Sequence, residues 1–285
     1  MKTLLLALLA TPLAAATPFQ AETIPADANW YLHADLTALR DTTAGSFLVK
    51  FVRKKQAVAL AEIENIFELD PLADLTGLTL FGTGKKDEGA LILRGKMDRN
   101  RFETVIVHAD NHETSNHGAR TLHHWDDKGK RQHAGFHDNS TLVIGPQENL
   151  VKLALEVLAG KKPGLPAKLK LPAANPTVVA FANIAKIEMP DDQGSRIVRK
   201  ANSLTITLDE KDERLQAAMT AETDSPQTSR QILQIMEGLI ALGQLADDNI
   251  AALGIEQKGQ ASGKTITMSM SLSTTKALEI LSQMP

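Results

Sequence analysis

The sequence uses one order of predicted elements twice, and this repeat limits the folds that the chain can adopt. Residues 78–106 and residues 204–232 each predict a β-hairpin followed by a capped helix. Residues 141–158 and residues 265–281 each predict a strand that runs into an amphipathic helix. Two long copies do not make a solenoid, which needs more copies of a shorter unit. We therefore predict two similar halves in this chain of 285 residues.

A connector separates the two copies. Residues 160–176 contain four prolines and four lysines. Proline fixes φ and removes a backbone donor, so this stretch cannot be a helix or a central strand. We place the N-terminal repeat at residues 17–162, the linker at residues 163–176 and the C-terminal repeat at residues 177–285.

The strand patterns predict the fold class. In residues 265–272 every second side chain is Ile, Met or Leu, and the others are Thr or Ser. A period of two places the apolar set on a buried face and the polar set in water. Sheets with one wet face are typical of antiparallel α+β layers and not of a doubly wound parallel fold. The predicted class is α+β, with each half a mostly antiparallel sheet packed on one face by helices.

Capping residues predict several helix ends. Asp98 and Ser225 stand where an N-cap is expected, and proline follows Ser225 at the first helical position. Gly160 is placed to close the helix over residues 148–159 as a left-handed C-cap.

Two longer helices are also predicted. Residues 46–69 are expected to form one long helix that ends at Asp70-Pro71. Residues 232–246 are apolar but interrupted by polar residues, which predicts a buried helix with Ile232 and Leu239 on its inward face.

Residues 67–82, FELDPLADLTGLTLFG, resemble the Asp-Pro…Asp-Leu…Thr-Leu-Phe-Gly signature of a family of duplicated, exported bacterial proteins of unknown function. The segments WDDKGK, DNSTLVIGP and LALEVLAGKKP resemble later parts of the same family, so the likeness covers most of residues 27–163. The second half has no counterpart of the Asp-Pro motif. The resemblance implies a fold and an exported location, and it implies no activity.

The first 16 residues predict export. A lysine is followed by the apolar run Leu4–Leu9, and Ala14 and Ala16 give the small-x-small pattern of a signal-peptide cleavage site. The apolar run is shorter than the roughly 20 residues that span a bilayer. We expect cleavage between Ala16 and Thr17 and a soluble periplasmic or secreted protein with no transmembrane span. The chain has no cysteine, which excludes disulfides and thiolate metal sites.

Histidine is concentrated in one stretch of the chain. Seven of the eight histidines lie between His108 and His137. Imidazole binds zinc, copper and nickel, and it titrates near neutral pH. This stretch predicts a β-hairpin in which residues 122–125 pair with residues 131–136.

The length of the hairpin loop decides which histidines meet. A three-residue loop over residues 127–129 places His123 directly opposite His133, with His137 farther along the same face. Cross-strand Cβ atoms lie about 5 Å apart, close enough to share a zinc or copper ion. A loop of two or four residues instead puts His123 and His133 on opposite faces, which removes the site. His123, His133 and His137 are our candidate metal ligands, and the alternative is a polar strand face that carries histidine without a metal.

The remaining motifs offer no intact catalytic site. His112-Glu113 is followed by His117 at i+5, whereas a zincin needs i+4, so the two rings diverge on a helix. Gly82-Thr83-Gly84-Lys85 lacks the spacing of a phosphate-binding loop. A formal charge of −3 argues against a nucleic-acid binder, which needs a basic face.

Three hypotheses follow from these observations. The first is a non-catalytic envelope protein that provides a binding or scaffolding surface to a protein partner. The second is a carrier of a lipid or another apolar ligand, enclosed between a curved sheet and helices rich in Met and Leu. The third is a metal or pH sensor built on the histidine hairpin.

Overall fold

The computed structural model describes residues 16–167, 169–191 and 193–283. The twelve strands of this part of the chain are β1 (Trp30–Asp35), β2 (Leu75–Gly82), β3 (Gly89–Gly95), β4 (Glu113–His117), β5 (Arg120–Asp127), β6 (Lys130–Asp138), β7 (Thr141–Gly145), β8 (Val178–Asn183), β9 (Ala201–Lys211), β10 (Arg214–Thr223), β11 (Glu256–Ser262) and β12 (Thr265–Ser273). Its α-helices are α1 (Leu36–Arg40), α2 (Thr43–Lys55), α3 (Ala57–Phe67), α4 (Pro71–Asp74), α5 (Arg99–Ile106), α6 (Glu148–Leu158), α7 (Gln193–Val198), α8 (Pro226–Ala246), α9 (Asp248–Ala252) and α10 (Thr274–Gln283). The predicted signal segment, residues 1–16, lies outside the described residues except for Ala16.

All twelve strands form one antiparallel sheet, in the order β11-β12-β10-β9-β8-β1-β2-β3-β7-β6-β5-β4. The α+β class with antiparallel sheets is therefore confirmed. The two halves meet at the centre, where β1 pairs with β8. Tyr31 lies opposite Phe181 in this pair, and their rings stack with centroids 5.3 Å apart. The sheets of the two halves are thus continuous.

The order of elements repeats on the two sides of this central pair. Outward from β1 the order is β2, β3, β7 and β6, and outward from β8 it is β9, β10, β12 and β11. A helix follows β3 and β10 in the chain, and another follows β7 and β12. The N-terminal half carries two further strands, β4 and β5, at its outer edge. These extra strands belong to the histidine-rich stretch.

The predicted linker is packed against the centre of the sheet. Leu165, Leu169 and Leu171 contact the main core, which includes Ile24 and Tyr31. The backbone amide of Leu165 donates a hydrogen bond to the carbonyl of Ile24 at 2.9 Å. The linker, the N-terminal segment and α6 therefore cover one face of the sheet, which we call the α6 face. The boundaries that we gave to the two halves stay a prediction.

The opposite face, which we call the α5 face, is covered by α3 and α5 in the first half and by α8 in the second. A core of Ala134, Phe136 and Leu142 lies beneath α5, with Phe102 packed against it. A second core, which includes Ile232 and Ile266, lies beneath α8.

The predicted caps are confirmed. The carboxylate of Asp98 accepts a hydrogen bond from the Arg101 amide, and the Ser225 hydroxyl accepts one from the Thr228 amide. Gly160 has a φ of 68° at the end of α6, a conformation that favours glycine.

The single long helix predicted over residues 46–69 is wrong. Two helices, α2 and α3, occupy this region, and Gln56 between them has a non-helical backbone with φ −116° and ψ 25°. The break allows the two helices to pack in different directions, because α2 contacts α1 and α10 whereas α3 contacts α5. No strong helix breaker stands at Gln56, so these tertiary contacts and not local propensity set the boundary.

The predicted burial of the helix over residues 232–246 is also wrong in part. Ile232, Leu233 and Met236 face the sheet. Leu239 is instead 61% exposed. The last turns of α8 pack on the short α9, so their outer face is left without a cover. None of the helices in the described part of the chain combines the length and the hydropathy that a membrane span requires.

The pairing of β1 with β8 predicts that the two halves unfold together. Val179 in β8 is fully buried at this junction. Val179→Ala removes two methyl groups from a closed core and should lower the free energy of unfolding by about 2 kcal/mol. Chemical denaturation followed by circular dichroism should give one transition at lower denaturant. Val58→Ala, at a site that is 74% exposed, is the control and should change the free energy by less than about 0.5 kcal/mol. Two separate transitions, with only one of them shifted, would contradict this reading.

Candidate functional site

An apolar pocket of about 430 Å³ lies on the α5 face, between α3, α5 and the sheet. Its lining comprises Ile63, Phe67, Leu69, Pro71, Leu75, Leu93, Met97, Asp98, Phe102, Ile106, Trp125, Phe136, Leu142 and Ile144. Asp98 is the one titratable residue among the described residues of this lining, and its Oδ1 atom accepts the hydrogen bond that caps α5. The pocket therefore presents hydrocarbon and aromatic surface to whatever enters it.

Aromatic rings form one wall of this pocket. Phe102 on α5 stacks against Phe67 of α3 at a centroid distance of 5.9 Å. It also meets Phe136 of β6 edge-on at 5.3 Å. Phe102 thus links the helical layer to the sheet at one side of the pocket. The amphipathic pattern of α5 predicts that Phe102 faces inward, but the sequence does not predict that a space remains beside it.

Two further cavities, of about 570 and 500 Å³, lie on the α6 face of the C-terminal half. Their floor carries small and polar side chains such as Thr205, Thr207, Thr267 and Ser269. No aromatic side chain belongs to the lining of either cavity. These cavities lack the stacking surface that sugars and bases use.

The histidine hairpin has a two-residue loop, Lys128-Gly129. Asp127 pairs with Lys130, and the two loop residues have φ values of 50° and 76°, as in a type I′ turn. The three-residue loop that our candidate site required is therefore wrong. His124, not His123, lies opposite His133, and His123 lies opposite Ala134.

The predicted set His123, His133 and His137 is consequently not brought together. Side chains alternate between faces along a strand, so His123 points to the α5 face while His133 points to the α6 face. The Nδ1 atom of His137 accepts a hydrogen bond from the Arg120 guanidinium at 3.1 Å. Within the described part of the chain, no group of three or more His, Asp or Glu side chains is arranged to hold a metal ion.

His124 and His133 instead form a pair on the α6 face. Their Nδ1 atoms are 2.7 Å apart, and the Nε2 atom of His124 lies 2.8 Å from the Ser115 hydroxyl. At 2.7 Å one ring donates its Nδ1–H to the lone pair of the other. Burial is the largest cause that lowers the pKa of both His124 and His133 below that of an exposed imidazole.

A second pair, His112 and His123, lies on the α5 face. The Nε2 atom of His112 is 3.2 Å from the Nδ1 atom of His123. The other nitrogen of His123, Nε2, is buried with no hydrogen-bond partner among the described residues, and it lies 3.9 Å from a carboxylate oxygen of Glu103. The His123 ring also meets the ring of Phe102 edge-on at 6.2 Å. This pair therefore adjoins the wall of the apolar pocket.

Sequence reasoning missed His112 and His124 as members of these pairs. The signal that could have found His124 is the Lys-Gly sequence after two aspartates, which fits a two-residue turn. His112 could not be found from spacing, because it lies in the turn between α5 and β4 and reaches His123 only through the packing of that turn on β5.

The eighth histidine, His33, lies at the centre of the sheet and is 1% exposed. Its Nδ1 atom is 2.9 Å from the Thr79 hydroxyl, and its Nε2 atom is 3.0 Å from the Thr17 carbonyl. A neutral ring satisfies both contacts, with Nε2–H donating to the carbonyl and Nδ1 accepting from the hydroxyl.

Comparison with solved structures finds the same fold in the protein TP0453. Its crystal form III matches with a TM-score of 0.54 at 10% identity, over 94% of this chain and 99% of that one. Crystal form IV matches with a TM-score of 0.52 at 9% identity, over 94% and 98% of the two chains. Crystal form I gives 0.51 at 10% identity, over 93% and 97%. At such low identity the likeness concerns the fold alone.

No family model matches this sequence, and no curated protein matches it. The resemblance to a duplicated exported family therefore stays an expectation from the sequence.

His33 predicts that acid weakens the fold. Burial lowers the pKa of this ring below 6.5, although the hydrogen bond with Thr17 opposes the shift. The unfolded chain then binds a proton at a pH where the folded ring stays neutral, so the free energy of unfolding falls as the pH drops through 6.5. Thermal melts between about pH 7.5 and about pH 5.5 should show a falling Tm.

The matched variants for this prediction are His33→Gln and His108→Gln. The buried substitution should lower the Tm at neutral pH and make its pH dependence shallower. The exposed substitution should leave the slope unchanged. Equal slopes for the wild type and His33→Gln would remove His33 as a source of the acid sensitivity.

Proposed function

We propose that this protein is a non-catalytic carrier that binds one apolar molecule in the pocket between α3, α5 and the sheet. The observation that carries the proposal is the nearly continuous apolar lining of that pocket. Its volume of about 430 Å³ falls within the range of roughly 300–1,000 Å³ that is typical of small-molecule sites.

The chemistry of the lining supports binding and not turnover. Transfer of apolar surface from water into such a pocket is favourable by roughly 25 cal/mol per Å². A general acid or base would need a titratable group with a free lone pair or proton beside the ligand. Asp98 is the one titratable side chain among the described lining residues; its Oδ1 atom caps α5, and the described lining offers no base or nucleophile to act with it. The chemical class that fits is an acyl chain or another hydrocarbon-rich molecule.

The location of this carrier is proposed from its first 16 residues. They have the charge, apolar run and cleavage pattern of an export signal. An apolar ligand outside the cytoplasm would need a carrier to cross an aqueous compartment, which agrees with the pocket. Amino-terminal sequencing of the protein purified from a periplasmic fraction tests this part, and a start at Thr17 is expected.

Filling the pocket should abolish ligand binding. Ile63 on α3 lines the pocket, so Ile63→Trp would occupy its space from the helical side. We expect the affinity for the apolar fluorescent probe N-phenyl-1-naphthylamine to fall at least tenfold. Native mass spectrometry of the wild-type protein should also reveal a bound apolar molecule that Ile63→Trp lacks.

The matched control is Ile66→Trp on the same helix. Ile66 is 44% exposed and is not part of the pocket lining. This variant should bind the probe as the wild type does. Equal probe binding by all three proteins would refute the carrier. A wild-type protein that binds no probe and yields no extractable apolar molecule would refute it as well.

A second candidate function is the scaffolding surface, and the outer face of α8 favours it. Ile235, Leu239, Leu242 and Leu245 are 41%, 61%, 61% and 87% exposed. Their spacing places them on one side of the helix. Exposed apolar clusters of this kind are typical of surfaces that contact a partner.

A photo-crosslinking residue at position 239 tests this surface in the producing cell. Leu239 and Val58 are both strongly exposed, at 61% and 74%, so position 58 is the control. We expect one discrete crosslinked species from position 239 and none from position 58. The same products from both positions, or none from either, would remove the scaffolding surface.

A further inference from the structure

Strand β5 carries two imidazole pairs on opposite faces, and their nitrogen separations differ. The nitrogens of His124 and His133 are 2.7 Å apart, whereas those of His112 and His123 are 3.2 Å apart. The shorter separation fits a shared proton and leaves too little room for a metal ion. The longer one is close to the separation of two nitrogens bound to one metal ion.

Two histidines on one metal ion have a defined separation. With metal–nitrogen bonds of about 2.0–2.1 Å and tetrahedral angles, the two nitrogens lie about 3.3 Å apart. The 3.2 Å between the Nε2 atom of His112 and the Nδ1 atom of His123 comes within about 0.1 Å of this value. The separation therefore suits two ligands of one ion, once both lone pairs turn by about 35° off the line that joins the nitrogens, as a tetrahedral angle at the metal requires.

The buried nitrogen of His123 provides an independent observation. Its Nε2 atom has no hydrogen-bond partner in the part of the chain that the structure describes, and it lies 3.9 Å from the Oε1 atom of Glu103. Glu103 is held in turn by Arg99, with Nε 2.7 Å from the same oxygen. With its proton on Nε2, the His123 ring accepts a hydrogen bond at Nδ1 from the Nε2–H of His112, and a metal ion would take the place of that proton between the two nitrogens. In metal sites the N–H behind a bound imidazole usually donates to a carboxylate, and a shift of about 1 Å would bring Glu103 into that contact with His123.

The turn that carries His112 is fixed to the hairpin. The amide of Asp126 donates to the carbonyl of Asp110 at 2.8 Å, and the side chain of Asn111 donates to Asp126 at 2.7 Å. Arg131 donates to the carbonyl of Asn111 at 2.7 Å. These bonds hold His112 over His123 without a metal. Its side chain is half-buried, so solvent can complete the coordination of an ion.

We propose that His112 and His123 bind one divalent transition-metal ion of the copper, nickel and zinc class, through Nε2 and Nδ1 respectively, with water in the remaining positions. Imidazole ligands suit these ions, and the affinity should follow the order Zn²⁺ below Cu²⁺, with no binding of Mg²⁺. Glu103 acts as a positioning residue that orients His123. The site is independent of the apolar ligand, although it adjoins the same pocket.

Isothermal titration of the untagged protein with Cu²⁺ and Zn²⁺ tests the site. We expect one ion per chain, and His112→Ala should weaken binding at least tenfold. His112 lies in a turn, so its truncation should leave the fold intact, which circular dichroism checks. Glu103→Gln should weaken binding by roughly tenfold or more, as is usual for a residue behind a ligand.

Two control variants separate this pair from the other histidines. His108→Ala removes an exposed imidazole from the same segment, and His133→Gln removes one ring of the second pair. Both should retain the wild-type affinity. The electron paramagnetic resonance spectrum of the Cu²⁺ complex should report two nitrogen ligands, and one in His112→Ala.

Unchanged affinity in His112→Ala would overturn the proposal, as would loss of binding in His133→Gln with retention in His112→Ala. A wild-type protein that binds neither Cu²⁺ nor Zn²⁺ would overturn it as well. None of these results depends on the probe that tests the apolar pocket, so the two proposals fail separately.

Discussion

The antiparallel pairing of β1 with β8 is the contact on which the rest of the molecule depends. Without it, each half would expose an unpaired strand at its inner edge, with backbone donors and acceptors in water. The pair joins the two edges and places Tyr31 against Phe181, and Phe19 stacks on the other side of Tyr31 with centroids 5.4 Å apart. The N-terminal segment and the linker close over these rings. A chain that repeats one unit thus becomes a single sheet, with the buried Tyr31 and Val179 at the seam.

The sequence predicted those features of the fold that depend on local chemistry. Alternation in residues 265–272 gave β12 and its buried face, and caps such as Asp98 and Ser225 marked where helices begin. The sequence did not predict the features that depend on contacts between residues far apart in the chain. No residue near Gln56 indicates a break between α2 and α3, because the break is set by the contacts of α2 with α10 and of α3 with α5. The exposure of the outer face of α8 likewise depends on tertiary structure, because few other elements contact the last turns of this helix.

The candidate sites illustrate the same limit more sharply. One residue in the length of the hairpin loop exchanges the faces of every side chain along a strand. The choice between two and three residues therefore decided that His133 pairs with His124 and not with His123. The pocket could not be predicted either, since it is a space between α3 and the sheet and not a pattern of residues. On α5, neighbouring positions serve both sites: Phe102 lines the pocket, while Glu103 faces His123.

An open sheet of twelve strands has two free borders, and their composition has a consequence for how copies of the protein meet. The bordering strands are β11 and β4. Their sequences, EQKGQAS and ETSNH, contain charged and amide side chains and no large aliphatic residue. A bare strand border is a template for another chain, and charged and amide side chains along it discourage such pairing because they stay hydrated. Borders of this composition oppose the end-to-end growth of an unclosed sheet into fibrils.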